Sequence, residues 1–154
     1  MLKRVLVVDD DPDVAQYTRT ILERRSQCIV RAVSDAQQAR IAMAEFRPDV
    51  VVTMTGVDPH HTDPMAHLQV TTAAFRRLNT AMRDLAFDAA AGRWLVVTGG
   101  GYNIDLLARL WAYLLARMVD VELPEEIPAD WLALARTRAG REFTPILSGD
   151  TPRL

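Results

Sequence analysis

The sequence predicts an α/β protein: a single three-layer α/β/α domain built on a four-stranded parallel sheet. Two observations predict this class. Short apolar, β-branched runs alternate with segments of helical periodicity, and acids, prolines or glycines punctuate the changeovers. The chain also has 154 residues, 49% hydrophobic and 25% charged, an ordinary balance for one globular core. Alternating strands and helices place helices on both faces of a parallel sheet. Right-handed crossovers leave few strand orders, and 2-1-3-4 is the one expected. Residues 1–154 show no internal repeat, low-complexity stretch or linker, so one domain is expected.

Val5-Leu6-Val7-Val8 opens the pattern as a strand buried on both faces. Asp11 or Pro12 starts a helix, with Val14, Thr18, Ile21 and Leu22 at helical spacing through Arg25. Cys28–Val33 reads as the second strand. Ser34 is the expected N-cap of a helix over 35–46, which Pro48 ends. Asp49–Thr53 is the third and strongest strand. A polar loop over 56–64 precedes a helix over 72–89 with the stripe Phe75, Leu78, Met82 and Leu85. Gly92 closes that helix before a fourth strand at 94–97. Asn103 caps a helix with the face Leu107, Leu110, Trp111, Leu114 and Met118. A short helix over 131–138 follows a proline-rich stretch, and residues 141–154 read as a frayed tail.

Charge and composition exclude several roles. A net charge of −2 gives no electrostatic case for nucleic acid or an anionic membrane. No apolar run approaches the roughly 20 residues of a membrane span. Cys28 is the only cysteine, so no internal disulfide can form and a reducing cytoplasm is expected. The open edge of a short sheet invites self-pairing into a homo-oligomer.

Two groups of residues bear on chemistry. Asp9 and Asp10 follow the first strand. They suit a helix N-terminus, where carboxylates meet unpaired N–H groups, and equally a hard divalent cation. The stretch VVTMTGVDPHHTDP begins as a strand and ends in Asp58, His60, His61 and Asp63. Asp58 before Pro59 is also what a turn requires. Gly99-Gly100-Gly101 makes either a tight strand-to-helix turn or a phosphate cradle, without a recognised phosphate-loop pattern. Sites in open parallel sheets form beyond the strands' carboxyl ends. With order 2-1-3-4, Asp9, Asp10, Met54, Asp58, His60 and Tyr102 are expected at one rim. There Asp9 or Asp10 would join Asp58 and His60 around a divalent metal.

Residues 1–53 resemble the receiver domain of bacterial response regulators, through Val5–Pro12 and Arg47–Thr53. The resemblance implies Mg²⁺ at Asp9 and Asp10, and it sets Thr98 at the position of a functional Ser or Thr. The phosphoacceptor position falls on Met54, which cannot be phosphorylated. The family's lysine has no counterpart, because Lys3 is the only lysine.

From about Phe46 to Leu134 the chain resembles the histone-deacetylase superfamily, specifically the C-terminal part of the bacterial acetoin-utilisation deacetylases. The residues behind this are Gly56–Leu68 and Gly99–Asn103, with Arg109-Leu110-Trp111 and Leu123–Pro128 also fitting. Residues 54–140 form the deacetylase-like segment. The resemblance implies Asp58 as a ligand of catalytic Zn²⁺ and Tyr102 as donor to the developing oxyanion. Gly99, Gly100 and Gly101 would let backbone approach an acetylated-lysine substrate. Thr98 stands where the family has another glycine. The family's other zinc ligands and its paired histidines lie upstream, yet His60, His61 and His67 are this chain's only histidines. The expectation is a recombined or chimeric domain with a catalytically incomplete deacetylase site. A residual zinc deacetylase and a degenerate receiver-like signalling module are the alternatives.

Overall fold

The computed structural model describes residues 2–9 and 11–150. Its elements run β1 (Lys3–Val8), α1 (Pro12–Arg25), β2 (Cys28–Val33), α2 (Ala36–Phe46), β3 (Val51–Thr55), α3 (Thr72–Ala90), β4 (Trp94–Thr98), α4 (Ile104–Met118) and α5 (Ala129–Ala139). The chain forms two compact units. The first comprises Met1–Thr53 and Arg83–Val97; the second comprises Met54–Met82 and Thr98–Leu154.

In the first unit β1 and β2 pair in parallel, from Lys3 opposite Cys28 to Val8 opposite Val33. Asp11 caps α1, its carboxylate accepting from the amides of Asp13 and Val14. Asp35, rather than the expected Ser34, caps α2 by accepting from Gln38 N–H at 2.7 Å. Arg47 ends α2 in the left-handed region at φ 48°, where the following Pro48 forbids further helix. Val51, Ala86 and Ala90 form the core, with Met43 and Trp94 packed against it. The Trp94 indole donates to Thr53 Oγ1 at 3.0 Å.

The expected four-stranded sheet is corrected here. The hydrogen-bonded strands form two pairs, β1 with β2 and β3 with β4. Between β1 and the approach to β3 there is only an isolated parallel bridge, Val5 to Val50. Asp49 explains why pairing starts and stops there. Its N–H donates to Arg4 O at 2.9 Å, but its carboxylate takes Arg4 N–H at 2.7 Å and its carbonyl takes Arg93 Nε–H. Side chains thus satisfy groups that a longer ladder would have used. The Arg4 amide, set against burial and supported by the Arg4 guanidinium, holds the Asp49 carboxyl below its ordinary value.

In the second unit Val57, Phe75, Leu106 and Leu110 form the core, with Val70, Leu107 and Trp111 against it. Asn103 caps α4, its Oδ1 accepting from Asp105 N–H at 3.2 Å. The expected frayed tail is instead tied down through residue 150. Ile127 N–H donates to Pro145 O and Leu147 N–H to Glu125 O, at 2.9 and 2.7 Å. Arg109, 6% exposed, sends Nη1 to the carbonyls of Ile146, Leu147 and Gly149. Its Nη2 reaches Asp105 at 3.2 Å, so the buried charge is countered. Asp105 also accepts from Thr144 N–H and Oγ1. No helix among the described residues is long and apolar enough to cross a membrane.

Candidate functional site

Two loops of the second unit carry Asp58, the glycine run and Tyr102. One follows β3 and carries Gly56 to Asp63; the other is the glycine run after β4. Backbone bonds join them: Gly99 N–H donates to Thr55 O at 3.4 Å and Val57 N–H to Gly100 O at 3.3 Å. The Asp58 carboxylate lies between them. A Cβ at Gly56 or at Gly100 would overlap Asp58 Oδ1, and Gly100 sits at φ +78°. A Cβ at Gly101, φ +116°, would overlap Val57. Glycine here is a steric requirement for lodging the carboxylate, and Gly100 and Gly101 are also conformational requirements.

Tyr102 follows directly, with its side chain 58% exposed. Asp63, 1% exposed, fixes the backbone at that point. Its Oδ2 accepts from Tyr102 N–H at 2.8 Å, while Oδ1 accepts from Met65 N–H at 2.8 Å and Ala66 N–H at 3.3 Å. Burial opposes the charge of Asp63, yet the amides of Tyr102, Met65, Ala66 and Asn103 outweigh it and hold its carboxyl below the ordinary value. Asn103 Nδ2 adds a second tie, donating to Thr62 Oγ1 at 2.9 Å.

His60 faces the core rather than a rim. It is 1% exposed, and its Nδ1 accepts from Thr62 N–H at 3.2 Å. The neutral ring therefore carries its proton on Nε2, which lies 3.0 Å from Asp150 Oδ1. Asp150 also accepts from Thr72 N–H at 2.6 Å and from the Thr72 hydroxyl, so it caps the start of α3. Burial lowers the His60 pKa below 6.5, and the Asp150 carboxylate only partly offsets this. Burial raises the Asp150 pKa, but bonds from Thr72 and His60 reverse that and leave it below its ordinary value.

Among the described residues, one group could gather around a cation: His60, His61 and Asp150, with ligand atoms within 4.8 Å of one another. Asp58 is not in it. His60 and His61 are both buried, and the His60 nitrogens and both Asp150 oxygens already have hydrogen-bond partners. That arrangement fits a satisfied polar network, not a hydrolytic zinc centre with an open position. Asp9 belongs to the first unit, and its Oδ1 accepts from Asp11 N–H at 3.0 Å, the helix-entry role. Asp10 lies outside the described residues. Met54 is 82% exposed.

The sequence marks Asp63 only as one of the metal-capable side chains after the third strand and Arg109 only within a stretch fitting the deacetylase resemblance; it marks Thr72 and Asp150 as neither site nor anchor. Asp150 carried no signal, because its partner Thr72 is 78 residues away.

Comparison with known proteins places these loops in context. The "Histone deacetylase domain" family model matches residues 17–118. The acetoin utilization protein AcuC of Bacillus subtilis is 34% identical over 90 residues, covering 58% of this chain and 23% of that protein. AcuC of Staphylococcus xylosus is 30% identical over 92 residues, covering 58% and 24%. The chain thus spans about a quarter of the length of the curated relatives it matches. The crystal structure of the HDA15 HD domain has a TM-score of 0.45 and 22% identity, covering 76% of this chain and 27% of that one. The matched span takes in residues 17–53, including Arg47–Thr53, so most of the segment expected to be receiver-like falls within the deacetylase family match, and a receiver segment is not shown. With two thirds of its length matched by the family model, the chain belongs to the histone deacetylase domain family.

Proposed function

We propose that this chain carries part of a zinc-dependent deacetylase site and does not complete it alone. The observation that supports this is the lodging of Asp58 between Gly56 and Gly100, beside a Tyr102 backbone held by Asp63. Zinc in such a site would acidify a water and polarise an amide carbonyl. Asp58 offers one carboxylate toward it, whereas a catalytic zinc ordinarily takes three protein ligands. Tyr102 would donate its phenol hydrogen to an oxyanion, and the glycines would admit an acetylated amine. The described residues provide no second and third ligand beside Asp58, so no hydrolytic step is assigned to this chain by itself.

A receiver-like signalling role would rest on Val5–Pro12 and Arg47–Thr53, and at Asp9 Mg²⁺ would have to compete with the Asp11 amide. The cytoplasm remains the compartment we propose, on the lone cysteine.

The test is an acetyl-lysine peptide assay with added Zn²⁺, with and without chelator. We expect no turnover above the protein-free rate. Chelator-sensitive acetate release that Asp58→Asn and Tyr102→Phe abolish would establish the residual-deacetylase alternative instead.

A further inference from the structure

The second unit contains a cavity lined by neither Asp58 nor Tyr102. It has a volume of about 290 Å³ and lies between α4, the Leu123–Pro128 segment, α5 and Leu147. Ala108 and Ala112 form its α4 side, one helical turn apart, and their small side chains leave the space open. Leu123, Ile127 and Trp131 form much of the rest of the wall. A space of this size and apolarity suits a single small organic group.

Two charged residues line it. Arg109 is spent: its guanidinium bonds three backbone carbonyls and Asp105. Glu126 is different. It is exposed, and none of the ion pairs found among the described residues includes it. The surrounding sequence adds to its sign, since residues 118–135 contain five acids and no lysine or arginine. Asp120 and Glu122 face Arg117, and Glu125 faces Arg76, which leaves Glu126 as the unpaired charge on the wall. Trp131, 39% exposed, adds an aromatic surface of the kind that attracts cations.

From this combination we infer that the cavity binds a small amphiphilic ammonium, an aryl- or alkylamine whose apolar group enters beside Ala112 and whose charge meets Glu126. The assignment does not depend on the deacetylase reading, since it uses neither Asp58 nor Tyr102.

Isothermal titration of the full chain with phenethylammonium, 2-phenylethanol and 3-phenylpropionate tests it. These probes share a ring and differ in charge. Saturable 1:1 binding is expected, tightest for the ammonium and weakest for the carboxylate. Ala112→Leu, which fills the cavity from a helix position that tolerates leucine, should abolish binding of all three. Glu126→Gln should weaken the ammonium roughly three- to fivefold, the worth of one exposed ion pair, and leave phenylethanol unchanged. Absence of binding overturns the assignment. So does ammonium binding no tighter than carboxylate binding, or ammonium affinity unchanged in Glu126→Gln.

Discussion

At the scale of single residues, His60 makes a proton-linked contact. His60 is buried and neutral, with Nε2–H directed at Asp150. The direction of the pH effect follows from both shifts. The folded His60 resists protonation while the unfolded imidazole accepts a proton near 6.5, so its contribution is complete above that value and declines below it. The Asp150 carboxyl is also depressed, and its contribution declines further as pH falls from 3.8 toward its folded value. Urea denaturation should therefore show lower stability at pH 5.5 than at pH 7.5. In His60→Gln the difference should shrink; an equal loss in both proteins would remove His60 as its source.

Gly100 carries a second expectation at this scale. A methyl group there meets both a left-handed backbone and the Asp58 carboxylate. Gly100→Ala should cost more than the about 1–3 kcal/mol of strained backbone, because the Asp58 overlap adds to it. Gly140 has a similar φ but open space around it, so Gly140→Ala should cost only the backbone part of that. Thermal melts of the two variants compare steric with conformational cost directly.

At the scale of elements, one side chain holds the segment from Ile146 to Gly149. Arg109 on α4 ties together the carbonyls of Ile146, Leu147 and Gly149, and Asp105 beside it takes Thr144. Replacing a buried guanidinium that satisfies several carbonyls ordinarily costs 2 kcal/mol or more, about the upper range for a single substitution. Arg109→Met should show that loss together with faster amide exchange at Leu147 and Gly149. Protection there equal to the parent protein's would refute the anchoring role. The same segment contributes Asp150 to α3, so release of the tail should also expose the Thr72 amide to exchange.

At the scale of the whole molecule, the two strand pairs leave much apolar surface in water. In the first unit Ile29 is 47% exposed, Leu95 55% and Val97 45%. Exposed β-branched strands with unpaired edges favour association. Light scattering should thus give a mass above the 17.2 kDa of one chain, rising with concentration. A constant monomer mass at high concentration would argue that these strands are kept apart. Replacing Leu95 and Val97 with threonine should shift the distribution toward the monomer without removing β-propensity.

Local physics was legible in the sequence because it needs only near neighbours. Apolar runs located β1 to β4, spacing located α1 to α5, and Asn103 was recognisable as a cap. The need for glycine around Asp58 was also legible, since Gly56 and Gly100 stand in the two short motifs that flank its carboxylate. Three matters were decided only by tertiary structure. Asp49 uses its own side chain and carbonyl in place of ladder bonds, so β1 and β3 meet at a single bridge. His60 finds Asp150 across 90 residues and becomes a buried donor. Arg109 finds carbonyls up to 40 residues away and orders a tail that has no pattern of its own. Such contacts depend on which polar groups lose water together when the chain packs. Periodicity and propensity fix where a segment becomes regular, but they are silent on which buried charge it will meet.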